Sequence, residues 1–506
     1  MPFLRRKTEP EYVFQGTPSY DPVGSPPNST IHEEGASIVS VHDDGVPVKS
    51  SNVTEEDEGG FHAHGCSVAM LVLLSLPRMA INMAWAAQWA ALGPYLGTLL
   101  PRFAVQLTQV IGPLCGILVA PTIGVLSDRS VNKWGRRRPF LLYGAVASAI
   151  CWTLMGFTRQ MGEALGDSPG HHPWTAGLTI LFYTWMDITV NVVQTPAFLI
   201  IADFAGDRQT LGAGIGQASS TLGSILVAGY IQFFGAAHLT LRWFLGMLSV
   251  TMILTVGAVC VFAKEVPRAK ETQDPTRSTC SRILDAFQSI VQGLRTLPRV
   301  LVVYCVVFFC VMYGYTAYNG SKGQFFGIEV YKGSPEGADT CGNACSPEQR
   351  QYDRGVQVAG GLTDLGFNIL GYIYSWVLPL LVRRLGARWV VTLALIPQTL
   401  LIAMAFSEIV ALDVTIVILT SITQATVFAL LVPVILHVFG ETAEVGMYVG
   451  ALNSANCFGQ LLNFVVGAAL VETSLGYRLP VLVGGVFSLL GALVSLTCFK
   501  IRMYSM

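Results

Sequence analysis

Asp187 stands near the middle of LTILFYTWMDITVNVVQTPAFLIIAD, residues 178–203, a run that is otherwise mostly apolar. At about 1.5 Å per helical residue, a run of this length crosses a hydrocarbon layer roughly 30 Å thick. Helical spacing puts Thr184, Asp187, Asn191 and Gln194 on one face, so a polar stripe follows the span. A carboxylate at the centre of a spanning helix costs about 2.5–3.5 kcal/mol on insertion scales. Two chemistries are open to it. It is either a buried structural carboxylate paired with a base on a neighbouring helix, or a group that binds and releases a proton beside a polar pocket.

The elements that hold this stripe are set by composition. The chain is 52% hydrophobic and only 12% charged, against about a quarter charged for a soluble domain, and it reads as an all-α membrane protein. Residues 66–263 contain six apolar spans, at about 66–92, 105–127, 139–157, 176–203, 210–234 and 242–263. A charged linker, 264–299, holds an amphipathic piece at 283–297 expected to lie on the membrane surface. Residues 300–499 supply six more spans, at about 300–317, 355–382, 389–407, 412–438, 445–470 and 479–499, before the short tail 500–506. Twelve transmembrane helices in two six-helix halves suggest duplication.

Ahead of them, residues 1–65 carry eleven acids against four bases and no apolar period, as expected of a disordered acidic tail. No apolar core follows Arg5, Arg6 and Lys7, so no signal peptide is expected. Lysine and arginine orient the chain, because cytoplasmic loops accumulate them. With the tail inside, internal loops carry Arg129, Lys133, Arg136, Arg137, Arg138, Lys264, Arg268, Arg295, Arg383, Arg384 and Arg388, while Arg102, Arg159, Lys322, Lys332, Arg350 and Arg354 fall outside. Both termini are therefore expected in the cytoplasm, which makes the sequons at Asn28 and Asn52 chance matches.

Most of the eleven cysteines lie in apolar spans, whereas Cys341 and Cys345 share a polar outer loop where a disulfide is plausible and a zinc site lacks further ligands. Gly212, Gly214 and Gly216 suggest close helix packing rather than a nucleotide loop, since no strand precedes them. His437 reads as an interior histidine, with a place in a proton relay as the other option. No HExxH, GxSxG or Walker sequence occurs, so no enzymatic activity and no cofactor or metal is expected. The absence of a basic face excludes nucleic acid as a partner.

Short motifs narrow the reading. Gly124-Val-Leu-Ser-Asp128-Arg129 precedes Lys133-Trp-Gly135-Arg136-Arg137-Arg138-Pro139 between the second and third spans. Such a loop anchors the inside face, and Asp128 among guanidinium groups could also form ion pairs that gate the cytoplasmic side. With its weaker echo Arg383-Arg384-Leu-Gly386-Ala-Arg388, the pattern resembles the loop signature of the major facilitator superfamily. Trp85-Ala-Ala-Gln88 with Gly93-Pro94-Tyr95, Trp185-Met-Asp187 with Asn191 and Gln194-Thr-Pro196, and Gly327-Ile-Glu329-Val-Tyr331 resemble the sucrose/proton symporters of the glycoside-pentoside-hexuronide:cation symporter group. The resemblance covers about residues 66–499.

It implies a proton-coupled sugar symporter, with Asp187 matching the fourth-span aspartate linked with proton coupling and Glu329 an acid beyond the seventh span. Asp364 joins them as a coupling candidate. Phe198 and Ile328 stand where plant relatives carry arginine, and Arg78 reads as the intramembrane base able to substitute, or else to snorkel. Trp85, Gln88, Asn191, Gln194, Asn368, Asn453 and Asn456 are the candidate sugar contacts, because a sugar needs amides to replace water and rings such as Trp89 or Tyr183 to stack on. Singly, each amide is equally suited to hold helices together in lipid. The expected partners are a small sugar, a proton and the bilayer, in a plasma-membrane carrier rather than an organellar exporter or a non-transporting sensor.

Overall fold

A computed structural model describes residues 65–168, 171–265, 279–439 and 445–504. The acidic tail with Asn28 and Asn52, and the linker bases Arg268, Lys270 and Arg277, lie outside these residues. Among the described residues the regular structure is helical. Ten stretches are long and apolar enough to cross a membrane. One of them, Pro173–Phe234, is two helices, Pro173–Ala205 and Gln209–Phe234, joined by the 3-10 turn Gly206–Arg208. Val445–Leu470, whose amides dilute its apolar character, completes twelve.

The helix limits follow local chemistry. Pro139, Pro173 and Pro347 occupy first turns, where a missing N–H costs nothing. Ser346 and Gln349 form a reciprocal capping box at the start of the eighth span. Gly386, at φ 78°, closes that span by donating its N–H to the Val382 carbonyl at 2.9 Å, a backbone shape that other residues adopt only under strain.

Each half buries its own core. Leu74, Trp152, Tyr183 and Phe244 are wholly buried in the first half, and Tyr304, Phe308 and Leu430 in the second. Phe233, Trp243 and Trp376 instead stand on the outer surface, as suits hydrocarbon rather than water. The amphipathic helix Thr279–Arg295 lays Gly293 beside Met447 and Ala451 of the eleventh span.

Lipid supplies little hydrophobic drive between helices, so close approach through small residues matters. The first and fifth spans meet in this way: a Cβ at Gly223 would collide with the Met79 carbonyl and one at Gly216 with Arg78, while one at Gly212 would press on Ile201 of the fourth span. Gly214, between the two packing glycines 212 and 216, faces open space. Gly223→Val is therefore expected to lower stability by about 1–3 kcal/mol, whereas Gly214→Ala leaves it within error. Thermal unfolding in detergent measures both, and equal effects would refute the packing account.

Candidate functional site

Three helices depart from α geometry. The first span turns to π-helix over Gln88–Leu92, the seventh is extended past Asn319 into a π segment at Phe325–Val330, and the eighth is π over Val358–Thr363, immediately before Asp364. Such single-turn bulges re-aim side chains and gather at functional sites. Of the three, the first lines a cavity of about 390 Å³ between the two halves with Gln88 and Trp89, and the third leads into its Asp364.

The first half lines this cavity with Asn82, Trp85, Gln88, Trp89, Gln109, Asn191, Gln194 and Ser224; the second supplies Tyr315, Asn319, Lys322, Asp364, Asn368, Asn453, Asn456 and Gln460. All seven of the candidate sugar contacts, Trp85, Gln88, Asn191, Gln194, Asn368, Asn453 and Asn456, are thus brought to one space. They are also wired together. Trp85 Nε1 donates to Gln194 Oε1 at 2.6 Å, Asn368 Nδ2 to its own helix at the Asp364 carbonyl, Asn456 to Asn453, and Gln460 to Asn456. Gln109, one helical turn after Gln106, is absent from the candidate contacts, yet both polar atoms of its buried amide lack partners among the described residues. Trp89 and Tyr315 approach one another across the halves, ring centroids 6.0 Å apart.

Asp187 is fully buried behind this wall. Its Oδ2 accepts from Gln88 Nε2 at 3.3 Å, and the same nitrogen donates to the Tyr183 hydroxyl at 2.7 Å. Its Oδ1 has no hydrogen-bond partner among the described residues. Gln88 and Gly112, both cavity residues, stand between the carboxyl and the open space, and a Cβ on Gly112 would lie 3.7 Å from Oδ1. Tyr183 thus holds Gln88 rather than presenting a stacking ring. Thr184, on the same stripe, turns back to bond the Ile180 carbonyl of its own helix.

The structure separates Glu329 from Asp187 and Asp364. Glu329 sits at one end of the second half, where it accepts from the Tyr477 N–H at 3.0 Å and pairs with Arg478 at 3.6 Å. Arg478 also reaches Glu408, as does Lys332, and hydrogen bonds and charge from these two bases hold the Glu408 carboxyl below the usual range.

Two placements correct the sequence reading. Lys322, expected as an outer-loop base, is 3% exposed and its ammonium meets Asp364 at 2.5 Å, so Arg78 is not the sole intramembrane base. His437, expected in the interior, is exposed. Arg78 itself lies over the Phe198 ring, 4.4 Å from its centroid, with Gln217 at 3.4 Å.

The basic loop knits the first half. Arg137, 3% exposed, reaches Asp128 at 2.5 Å, Ser127 at 2.6 Å and Asp203 at 3.2 Å, while Arg136 meets Asp203 at 2.6 Å. The backbone N–H groups of Arg137 and Arg138 donate to Glu265, and the Arg138 guanidinium to the Cys260 carbonyl. Burial pushes the Glu265 carboxyl up against those two N–H bonds. These described partners of Arg136, Arg137 and Arg138 lie in the first half, as does Arg129. The described polar contacts between halves sit at the opposite end. Arg159 meets Asp339 at 2.7 Å, His238 meets Asp353 at 2.7 Å, and the Tyr352 hydroxyl donates to the Pro94 carbonyl at 3.0 Å. Cys341 and Cys345 form a disulfide in the loop that carries Asp339.

Residues 73–320 match the MFS/sugar transport protein family. Sucrose transport protein SUT1 of Oryza sativa subsp. japonica is 27% identical over 367 residues, 64% of each chain. Sucrose transport protein SUT5 of Oryza sativa subsp. indica is 30% identical over 61% of this chain and 60% of its own. The matched region thus spans less than two thirds of these relatives. Among solved structures, a mutant of the nucleoside transporter NupG superposes with a TM-score of 0.59 at 15% identity, covering 85% of this chain and all of that one. The inward open xylose transporter XylE from E. coli gives 0.57 at 13% identity over 86% and 97%. The twelve helices and the paired halves around a central cavity agree with the fold of these solved transporters, and residues 73–320 are similar to the MFS/sugar transport protein family.

Proposed function

We propose that the chain is a proton-coupled sugar symporter that carries sucrose or a related glucoside by alternating access, without enzymatic turnover of its cargo. The observation that carries this reading is a cavity with amide-lined walls from both halves and, directly behind its Gln88 and Gly112, a buried carboxyl that has no described cation beside it. A cavity of about 390 Å³ falls within the range of small-molecule sites. Amides offer donors and acceptors to hydroxyls in both directions, and Trp85, Trp89 and Tyr315 offer faces to a pyranose ring. The sucrose transport proteins among the relatives favour the same class of cargo.

Asp187 is the proton seat of this proposal. Occluding a bare carboxylate in a low-dielectric interior is costly, and a proton removes the charge. The loaded carrier then reorients, and the merely deprotonated one does not. Glu329, paired with Arg478 away from the cavity, steadies the second half and contributes to coupling only at a distance.

On loop charge the Arg136–Arg138 end and both termini lie in the cytoplasm, so the sealed end faces outward and the carrier stands in an inward-facing state. Asp128, Arg129 and Arg136 to Arg138 brace the first half, and the second half closes against them in the outward-facing state. Arg159–Asp339 and His238–Asp353 are the outer latch. Arg159→Ala is expected to shift the balance toward the outward-open state by about 1–2 kcal/mol, roughly five- to thirtyfold. Distances between spin labels at Glu163 and Glu348, exposed on either side of the latch, read this population; an unchanged distribution contradicts it.

Uptake of labelled sucrose into transporter-deficient cells tests the function, with competing sugars and with pH and sodium gradients imposed separately. The proposal requires uptake that follows the pH gradient; uptake that follows sodium alone, or none for any glucoside, rejects it.

A further inference from the structure

The two carboxyls at the cavity differ in one respect. Asp187 has an amide for company, whereas Asp364 has an ammonium: Lys322 Nζ donates to Asp364 Oδ2 at 2.5 Å and to Asn319 Oδ1 at 3.0 Å. Lys322 reaches this position because only the turn Gly320–Ser321 separates the seventh helix, which ends at Asn319, from the short helical piece Lys322–Gln324. Both residues line the cavity, and the lysine side chain is 4% exposed against 16% for the aspartate, so the carboxylate is the more open of the two. An ammonium in contact with one oxygen leaves acceptor sites on the carboxylate free. Since the pair is neutral as it stands, closing the cavity over it requires no proton. Closing over Asp187 does.

We infer that the cavity divides its labour: Asp364, ion-paired with Lys322, is a specificity-determining acceptor for vicinal hydroxyls of the sugar, and Asp187 alone carries the proton. The inference rests on the symport reading above. A carboxylate accepts from two neighbouring hydroxyls, and such charge-assisted bonds are about twice as strong as neutral ones. Lys322 is a positioning residue, touching the sugar through Asp364. The other titratable groups facing Asp364 are the phenols of Tyr315 and Tyr318, and a phenol stays neutral between about pH 5 and 8.

Three variants of the full chain in proteoliposomes test this, each read by sucrose counterflow without a gradient and by accumulation under an imposed pH gradient. Asp364→Asn is expected to raise KM about ten- to hundredfold while the accumulation ratio at saturating sucrose follows the gradient as before. Lys322→Met leaves a second bare carboxylate to be neutralised, so its maximal rate falls at neutral pH, recovers on acidification, and the proton-to-sugar ratio climbs towards two. The double variant, neutral once more, regains the parent pH profile with the KM of Asp364→Asn. A purely structural role would leave all three with the parent pH profile.

Loss of gradient-driven accumulation in Asp364→Asn with counterflow intact overturns the inference by putting Asp364 in the proton path. So does a double variant no better than Lys322→Met. Asp187→Asn run alongside keeps the two readings apart: if it still accumulates sugar, the symport assignment of Asp187 fails, whatever Asp364 does.

Discussion

Asp187→Asn is expected to abolish accumulation of sugar against its gradient while leaving exchange of labelled for unlabelled sugar across the membrane. The side chain is fully buried, its Oδ1 is unpartnered among the described residues, and Gln88 is the hydrogen-bond donor to its Oδ2. An asparagine occupies the same volume and is neutral, so the occluded carrier loses a charge that must otherwise be titrated on every cycle. The carrier then moves in both directions with sugar and without a proton. A potential of 100 mV supplies about 2.3 kcal/mol per proton, roughly fiftyfold in concentration at equilibrium, and all of that is forfeited. Gln88→Leu should give a milder defect of another kind, because it removes the donor shared by Tyr183 and Asp187 without removing the proton seat.

The second large effect is on assembly. Arg137 ties the second span at Ser127 and Asp128 to the fourth at Asp203, with its own backbone held by Glu265. Removing the guanidinium leaves Asp203, 19% exposed, with less compensation in a partly buried place. Breaking one side of a buried pair costs about 3–5 kcal/mol, a large share of the stability of most proteins. Arg137→Met is therefore expected to cost that much in thermal unfolding or to yield no folded protein. Arg137→Lys should recover little, since an ammonium cannot reach three partners in the plane of a guanidinium. Asp128 is half exposed, and Asp128→Asn is expected to cost under about 1 kcal/mol. Similar losses for Arg137→Met and Asp128→Asn would show that the cluster is not held by the buried arginine.

Much of the architecture was legible in the chain because hydrocarbon imposes long apolar helices. The fourth span, expected at 176–203, runs Pro173–Ala205; the eleventh has the limits expected, Val445–Leu470. The cavity was legible where amides recur at helical spacing, as along Asn453, Asn456 and Gln460. It was illegible where a helix leaves that spacing or outlasts its apolar run. Polar residues after Ala317 look like the start of a loop, yet Asn319 closes the helix at the cavity and a short helical piece after one turn brings Lys322 back to it. Gln109 shares a helix face with Gln106 one turn earlier, but two amides at the start of an apolar span look like its polar entry rather than a cavity wall. The placement of Glu329 with Arg478, and of Arg159 with Asp339, depends on contacts between segments distant in the chain, which spacing cannot reveal.

That sugar and proton move together through one cavity, with Asp187 as the seat, is tested most directly by recording pH inside proteoliposomes when sucrose is added outside with the membrane potential clamped and no pH gradient imposed. The account predicts inward proton movement that tracks labelled sucrose mole for mole and disappears in Asp187→Asn. Sucrose entry with no accompanying proton movement in the parent protein would contradict it.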